Sequence, residues 1–259
     1  ILSDHRHIRK NKKLENGDIL VVCGAFLFAG LVKGTTGLGF ATTALSFLVY
    51  AIGLKEALPL LIVPSVVSNL IVMRDAGHFR ATLIQFRLMY AAAPVGIFIG
   101  LALLMGLDPT ISLAILGLVL IIYGVITITQ PAFRLPTALA RRLEIPVGFT
   151  TGLVNGVTGS QVMPVLPYLL SLPLERNVFI QAINISFTIS SVVFAIGLAW
   201  LGLFTVDTTQ ISFVGLVAML VGLKLGIPIR RRLPQSSFRR AVLGLLVLLG
   251  AGLVLRSLL

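Results

Sequence analysis

Apolar stretches follow one another along nearly the whole chain, at roughly 18 to 33, 39 to 52, 56 to 74, 83 to 105, 109 to 129, 145 to 156, 162 to 172, 177 to 202, 208 to 229 and 238 to 257. A helix that crosses a bilayer needs about 20 mostly apolar residues, since every backbone polar group must be satisfied within it. Six of the ten stretches reach that length, and the other four fall in two short pairs, each broken by glycines. Composition agrees: 57% of the residues are apolar and only 12% are charged, with a mean hydropathy of +1.02. Soluble domains carry roughly a quarter charged residues, so a soluble enzyme is excluded. The formal net charge of +12 would suggest nucleic acid as the partner of a soluble protein. In a chain of spanning helices the same excess sets orientation in the bilayer, so no nucleic-acid partner is expected.

The two short pairs carry an internal repeat. Residues 30 to 40 read GLVKGTTGLGF and residues 152 to 162 read GLVNGVTGSQV, with six of eleven positions identical. A looser echo matches Val95, Gly96 and Gly100 to Val221, Gly222 and Gly226. The expected organisation is therefore a polar basic tail over 1–17, a first transmembrane repeat over 18–130, a cytoplasmic basic linker over 131–144 and a second repeat over 145–259. The fold class is an all-α polytopic membrane protein. It is expected to contain two inverted four-segment repeats, each with a broken or re-entrant helical hairpin and three full transmembrane helices.

Orientation follows from the basic residues. The linker residues Arg134, Arg141 and Arg142 are placed in the cytoplasm, which puts Arg74, Arg80, Arg87, Arg176, Arg230, Arg231, Arg232, Arg239 and Arg240 on the same side. Lys55 and Arg256, with the connections at Asp108 and Asp207, fall outside. The tail conflicts with this scheme, because it carries five basic residues where inversion places the outer face. One net crossing by the first pair, a further helix upstream, or an exception to the rule each resolves it.

Breaks in membrane helices expose unpaired backbone groups, which must face protein, water or a ligand, and a helix N-terminus favours an anion. The first break offers Lys33, Gly34, Thr35, Thr36, Gly37 and Gly39. Lys33 is the sharpest signal, because a lysine inside the membrane is costly and marks a functional site unless it snorkels to the interface. The second break offers Asn155, Gly156, Thr158, Gly159, Ser160 and Gln161, with Asn155 at the position of Lys33. The glycines serve equally well for tight helix packing. Polar residues on the following helices, among them Ser65, Ser68, Asn69, Gln181, Asn184 and Ser191, need partners that substrate or a neighbouring helix can supply. The candidate substrate-binding set is thus Lys33, Gly34, Thr35, Thr36, Gly37, Ser68, Asn69, Asn155, Thr158, Gly159, Ser160, Gln161 and Asn184.

The histidines are His5, His7 and His78, so no intramembrane histidine cluster is available for metal or proton relay, and no catalytic residue, metal or cofactor is assigned. The lone Cys23 is a packing residue. No acidic residue is expected deep in a helix, and intramembrane positive charge without negative charge favours an anionic substrate. Membrane lipids are the other expected partner, and a homodimer is one option for assembly.

The motifs GLVKGTTGLGF and GLVNGVTGSQVMPVLPYLL, each opening a four-segment half, resemble the sulfite exporter TauE/SafE family, also called the toluene sulfonate uptake permease family. The resemblance runs from residue 18 almost to the end. It implies a secondary transporter of the bacterial inner membrane that exports a small sulfur anion such as sulfite, sulfoacetate or another organosulfonate, and not an enzyme. A passive small-anion channel and an uptake carrier for a related carboxylate or sulfonate are the alternatives. The family often shows a G-x-G-G run at the breaks, and Ser160 and Gln161 depart from it.

Overall fold

A computed structural model describes residues 16–129, 134–204, 206–232 and 235–258, so the tail to residue 15 and part of the linker lie outside the described residues. Its twelve helices are α1 (Asn16–Thr36), α2 (Phe40–Ile52), α3 (Leu54–Leu60), α4 (Ile62–Ala76), α5 (Phe79–Gln85), α6 (Arg87–Gly106), α7 (Pro109–Thr129), α8 (Thr137–Thr158), α9 (Val165–Leu170), α10 (Arg176–Trp200), α11 (Val206–Arg232) and α12 (Gln235–Leu258). Among the described residues no strand occurs. Five helices among the described residues are long and apolar enough to cross a membrane, and a sixth span results if the bent pair α3 and α4 counts as one. The protein is a multi-pass membrane protein.

Local chemistry explains where the elements start and bend. Asp108 precedes α7 and accepts hydrogen bonds from the Thr110 backbone N–H at 2.8 Å and hydroxyl at 2.7 Å. Pro109 then opens the helix at the one position where a missing N–H costs nothing. Those bonds hold the exposed Asp108 carboxyl below its ordinary range. Between α3 and α4 the axis bends by 43°. Pro64 has no N–H to offer the carbonyl four residues back, at Leu60, and the Ser212 hydroxyl of α11 donates to that carbonyl instead, at 2.7 Å.

Packing is pairwise. α1 lies along α11, α6 along α8, α7 along α12 and α4 along α10. The first two pairs touch backbone to backbone at glycine. A β-carbon on Gly34 would come within 2.9 Å of the Gly226 Cα, and one on Gly156 within 2.6 Å of the Gly100 Cα. The glycines of the repeat motif thus meet the glycines of the looser echo, each from the opposite half of the chain. Outward faces carry exposed apolar side chains such as Leu20, Val95, Leu118, Val217 and Leu248, as a lipid-facing surface requires. Trp200 and Phe98 stack at 5.5 Å between centroids at the end of α10.

Three sequence expectations are modified. The stretch 18 to 33 reads as short in the sequence, but the helix runs on into the break as far as Thr36, and Ile19–Thr36 is a full-length candidate span. The Thr35 and Thr36 hydroxyls bond to carbonyls of the preceding turn, which keeps the polar end helical. At the second repeat α8 begins at Thr137, inside the stretch assigned to the linker. That extension carries Glu144 into a helix, where it is 8% exposed, so a buried carboxylate exists where none was expected. Arg87 and Arg141 lie within electrostatic reach of it.

Candidate functional site

Two copies of one local structure end α1 and α8. In the first, Gly37 is left-handed at φ 82° and its N–H bonds to the Lys33 carbonyl at 2.7 Å. The Thr36 hydroxyl donates to the Val32 carbonyl at 2.9 Å and accepts the Leu38 N–H at 3.2 Å. In the second, Gly159 stands at φ 75° with its N–H on the Asn155 carbonyl at 2.7 Å. Thr158 donates to the Val154 carbonyl at 2.7 Å and accepts the Ser160 N–H at 3.1 Å. A left-handed glycine of this kind closes a helix because it carries no β-carbon. The repeated Thr-Gly pair is therefore a helix stop.

The stops differ in what precedes them. Lys33, 2% exposed, sends its amine to the Asn69 side-chain oxygen in a close contact and to the Asn184 side-chain oxygen at 3.4 Å. Asn184 is itself fixed, its Nδ2 donating to the Ile180 carbonyl at 2.8 Å. Three helices, α1, α4 and α10, thus converge on one amine. Both partners are neutral amides.

Beside Lys33 lies a cleft lined by Gly39, Thr42, Ser65, Asn69, Gln161 and Phe187, with room for roughly one water. Phe40 and Ala41 also face it, so the start of α2 closes one wall. The first N–H groups of a helix have no carbonyl partner within it, and they carry the positive end of the helix dipole. Gly39, left-handed at φ 87°, precedes α2 without a side-chain cap and leaves those groups open. A second cleft shares Ala41, Ser65 and Gln161 and extends to Gly159 and Ser191. Gln161 Nε2 donates to the Ser191 hydroxyl at 2.9 Å there.

Of the expected residues, Lys33, Asn69 and Gln161 line the first cleft, Asn184 reaches it only through Lys33, and Gly159 lies on the second. Gly34 instead packs on the α11 backbone. Thr35, Thr36, Thr158 and Ser68 spend their hydroxyl protons on nearby backbone carbonyls, and Gly37 ends α1. Asn155 and Ser160 are fully buried with unpartnered side-chain polar atoms, in Asn155 both the oxygen and the nitrogen. Gly39 and Ser65, legible in the sequence as breaking and polar residues, line the clefts from outside the candidate set. Phe40, Ala41, Thr42 and Phe187 were missed, and nothing in the sequence distinguishes them from core.

The family model described as Sulfite exporter TauE/SafE matches residues 22–253. The chain belongs to that family. No curated protein and no solved structure matches it. TauE/SafE membership makes the molecule a membrane transporter with a small-molecule substrate, and the match spans both stops, the Lys33 cluster and every helix that lines the clefts.

Proposed function

We propose that this TauE/SafE protein exports a small sulfur-containing anion, such as sulfite, sulfoacetate or another organosulfonate, across the bacterial inner membrane by alternating access. The carrying observation is Lys33. It is buried, its acceptors are uncharged, and it stands beside the open start of α2. An ammonium and a helix N-terminus together favour an anion, whose oxygens accept from both. Asn69, Asn184 and Gln161 complete the set as positioning groups, and Asn155, Thr158, Ser160, Gly34, Thr35, Thr36, Gly37, Gly159 and Ser68 shape its walls and stops.

Alternating access is the motion this packing suits. The two halves are taken as inverted repeats, supported by the matching helix stops and by the reciprocal contacts of α1 with α11 and α6 with α8. Rocking one pair against the other would open the cleft to each side in turn. A cleft with room for about one water speaks for a gated carrier rather than an open pore.

Reconstitution in liposomes tests the reading. Labelled sulfite or sulfoacetate is expected to show saturable flux and counterflow, and Lys33→Ala is expected to weaken anion binding at least tenfold. Linear flux without counterflow would make it a channel. Absence of any anion flux from folded protein would remove the reading.

A further inference from the structure

Lys33 and Glu144 are the buried charged residues among those described, and they do not pair. Every element around Lys33 gives the same answer. On α4 it meets Asn69, while Arg74 and Asp75 are exposed at the far end. On α10 it meets Asn184, and Arg176 is exposed. Lys224 of α11 and Arg240 and Arg256 of α12 are exposed. Tyr50 of α2 donates its hydroxyl to the Leu249 carbonyl. Glu144 of α8 has Arg87 and Arg141 as its charged neighbours. Thus no carboxylate among the described residues compensates the charge of Lys33.

A buried ammonium without a counter-charge is strongly disfavoured, and the group responds by giving up its proton. An anion in the adjoining cleft would supply the missing charge and restore the proton. We infer that Lys33 is the coupling site of this transporter: it takes up one proton with each anion it binds and gives that proton back when the anion leaves. The inference rests on the anion reading above. The balance is simple. When the anion enters, water on that side yields a proton to the lone pair of the Lys33 amine, forming the third N–H bond. When the anion departs, that bond breaks and the proton passes to water on the other side. The empty carrier returns with a neutral amine, which the two amides tolerate in a closed cleft. No oxidant or second ion takes part.

Proteoliposomes with an interior pH dye provide the test, with labelled sulfoacetate as the probe at mildly alkaline pH, where it has no proton of its own to carry. Wild type is expected to move about one proton with each sulfoacetate, in the same direction. Lys33→Arg is expected to keep a permanent charge, because a guanidinium does not deprotonate. It should therefore exchange sulfoacetate for sulfoacetate yet lose net flux at least tenfold, since the empty carrier cannot return. Sulfoacetate flux in wild type without proton movement overturns the proposal, and so does proton-coupled net flux in Lys33→Arg at the wild-type rate. Should the arginine variant fail in both modes, the wild-type proton ratio decides alone. Loss of exchange and net flux together in wild type would instead strike the transport reading, which keeps the two failures distinct.

Discussion

Lys33 and Asn155 occupy the same place in the repeat, four residues before a left-handed glycine, yet their surroundings treat them differently. Lys33 has two acceptors, whereas the Asn155 amide is 0% exposed with neither atom bonded. Leaving a buried polar group unpaired costs about 1–3 kcal/mol, so its presence is unfavourable to this closed arrangement alone. Asn155→Leu is accordingly expected to raise the unfolding temperature of the detergent-solubilised protein. The same change should reduce sulfoacetate exchange at least tenfold if the amide finds its partner in another state of the cycle. A stabilised variant with full exchange would assign Asn155 no part in transport. The sequence made both residues visible, because a polar side chain at a repeated position in an apolar run stands out. It could not show that Asn69 and Asn184 meet Lys33, since those partners lie 36 and 151 residues away and only packing joins them.

At the scale of elements, spans are legible and their ends are not. The apolar runs located α6, α7, α10 and α11 because hydrocarbon tolerates little else over that length. The same criterion cut α1 short at Lys33, because threonine hydroxyls that bond back to their own helix cannot be told from hydroxyls aimed at a ligand. It also truncated α8, whose first turns carry Arg141, Arg142 and Glu144. Glycine roles divide only in three dimensions: Gly34 and Gly156 hold helices together, while Gly37 and Gly159 end them. Gly156→Val would force side-chain atoms into the Gly100 backbone and is expected to cost about 1–3 kcal/mol or more, read as a lower unfolding temperature. Ser212→Ala removes the donor that serves the Leu60 carbonyl at the α3–α4 bend. About 1–3 kcal/mol of stability should be lost there, provided no water replaces the hydroxyl. Ser212→Thr, which keeps the donor, should recover most of it.

For the whole molecule, the charge excess becomes an argument about sides. If the halves are inverted repeats, Arg80, Arg142 and Arg176 share the cytoplasmic face, and Lys55 and Asp108 share the outer one. Arg142 and Arg176 on one side would make the segment from α8 through α9 to the start of α10 re-entrant, with no net crossing between those two residues. The glycine stop at Gly159 allows that, since a helix ended within the layer can return only through a protein-lined break. Single cysteines at these positions, in a Cys23→Ser background, make the arrangement measurable with a maleimide that does not cross membranes. Lys55→Cys and Asp108→Cys are expected to react in intact cells, whereas Arg80→Cys, Arg142→Cys and Arg176→Cys should react only after permeabilisation. Labelling of Arg176→Cys from outside would turn α8 and α9 into a full crossing. Helices α4 and α10 would then cross the membrane in the same direction, and the inverted relation on which rocking between the pairs depends would be lost.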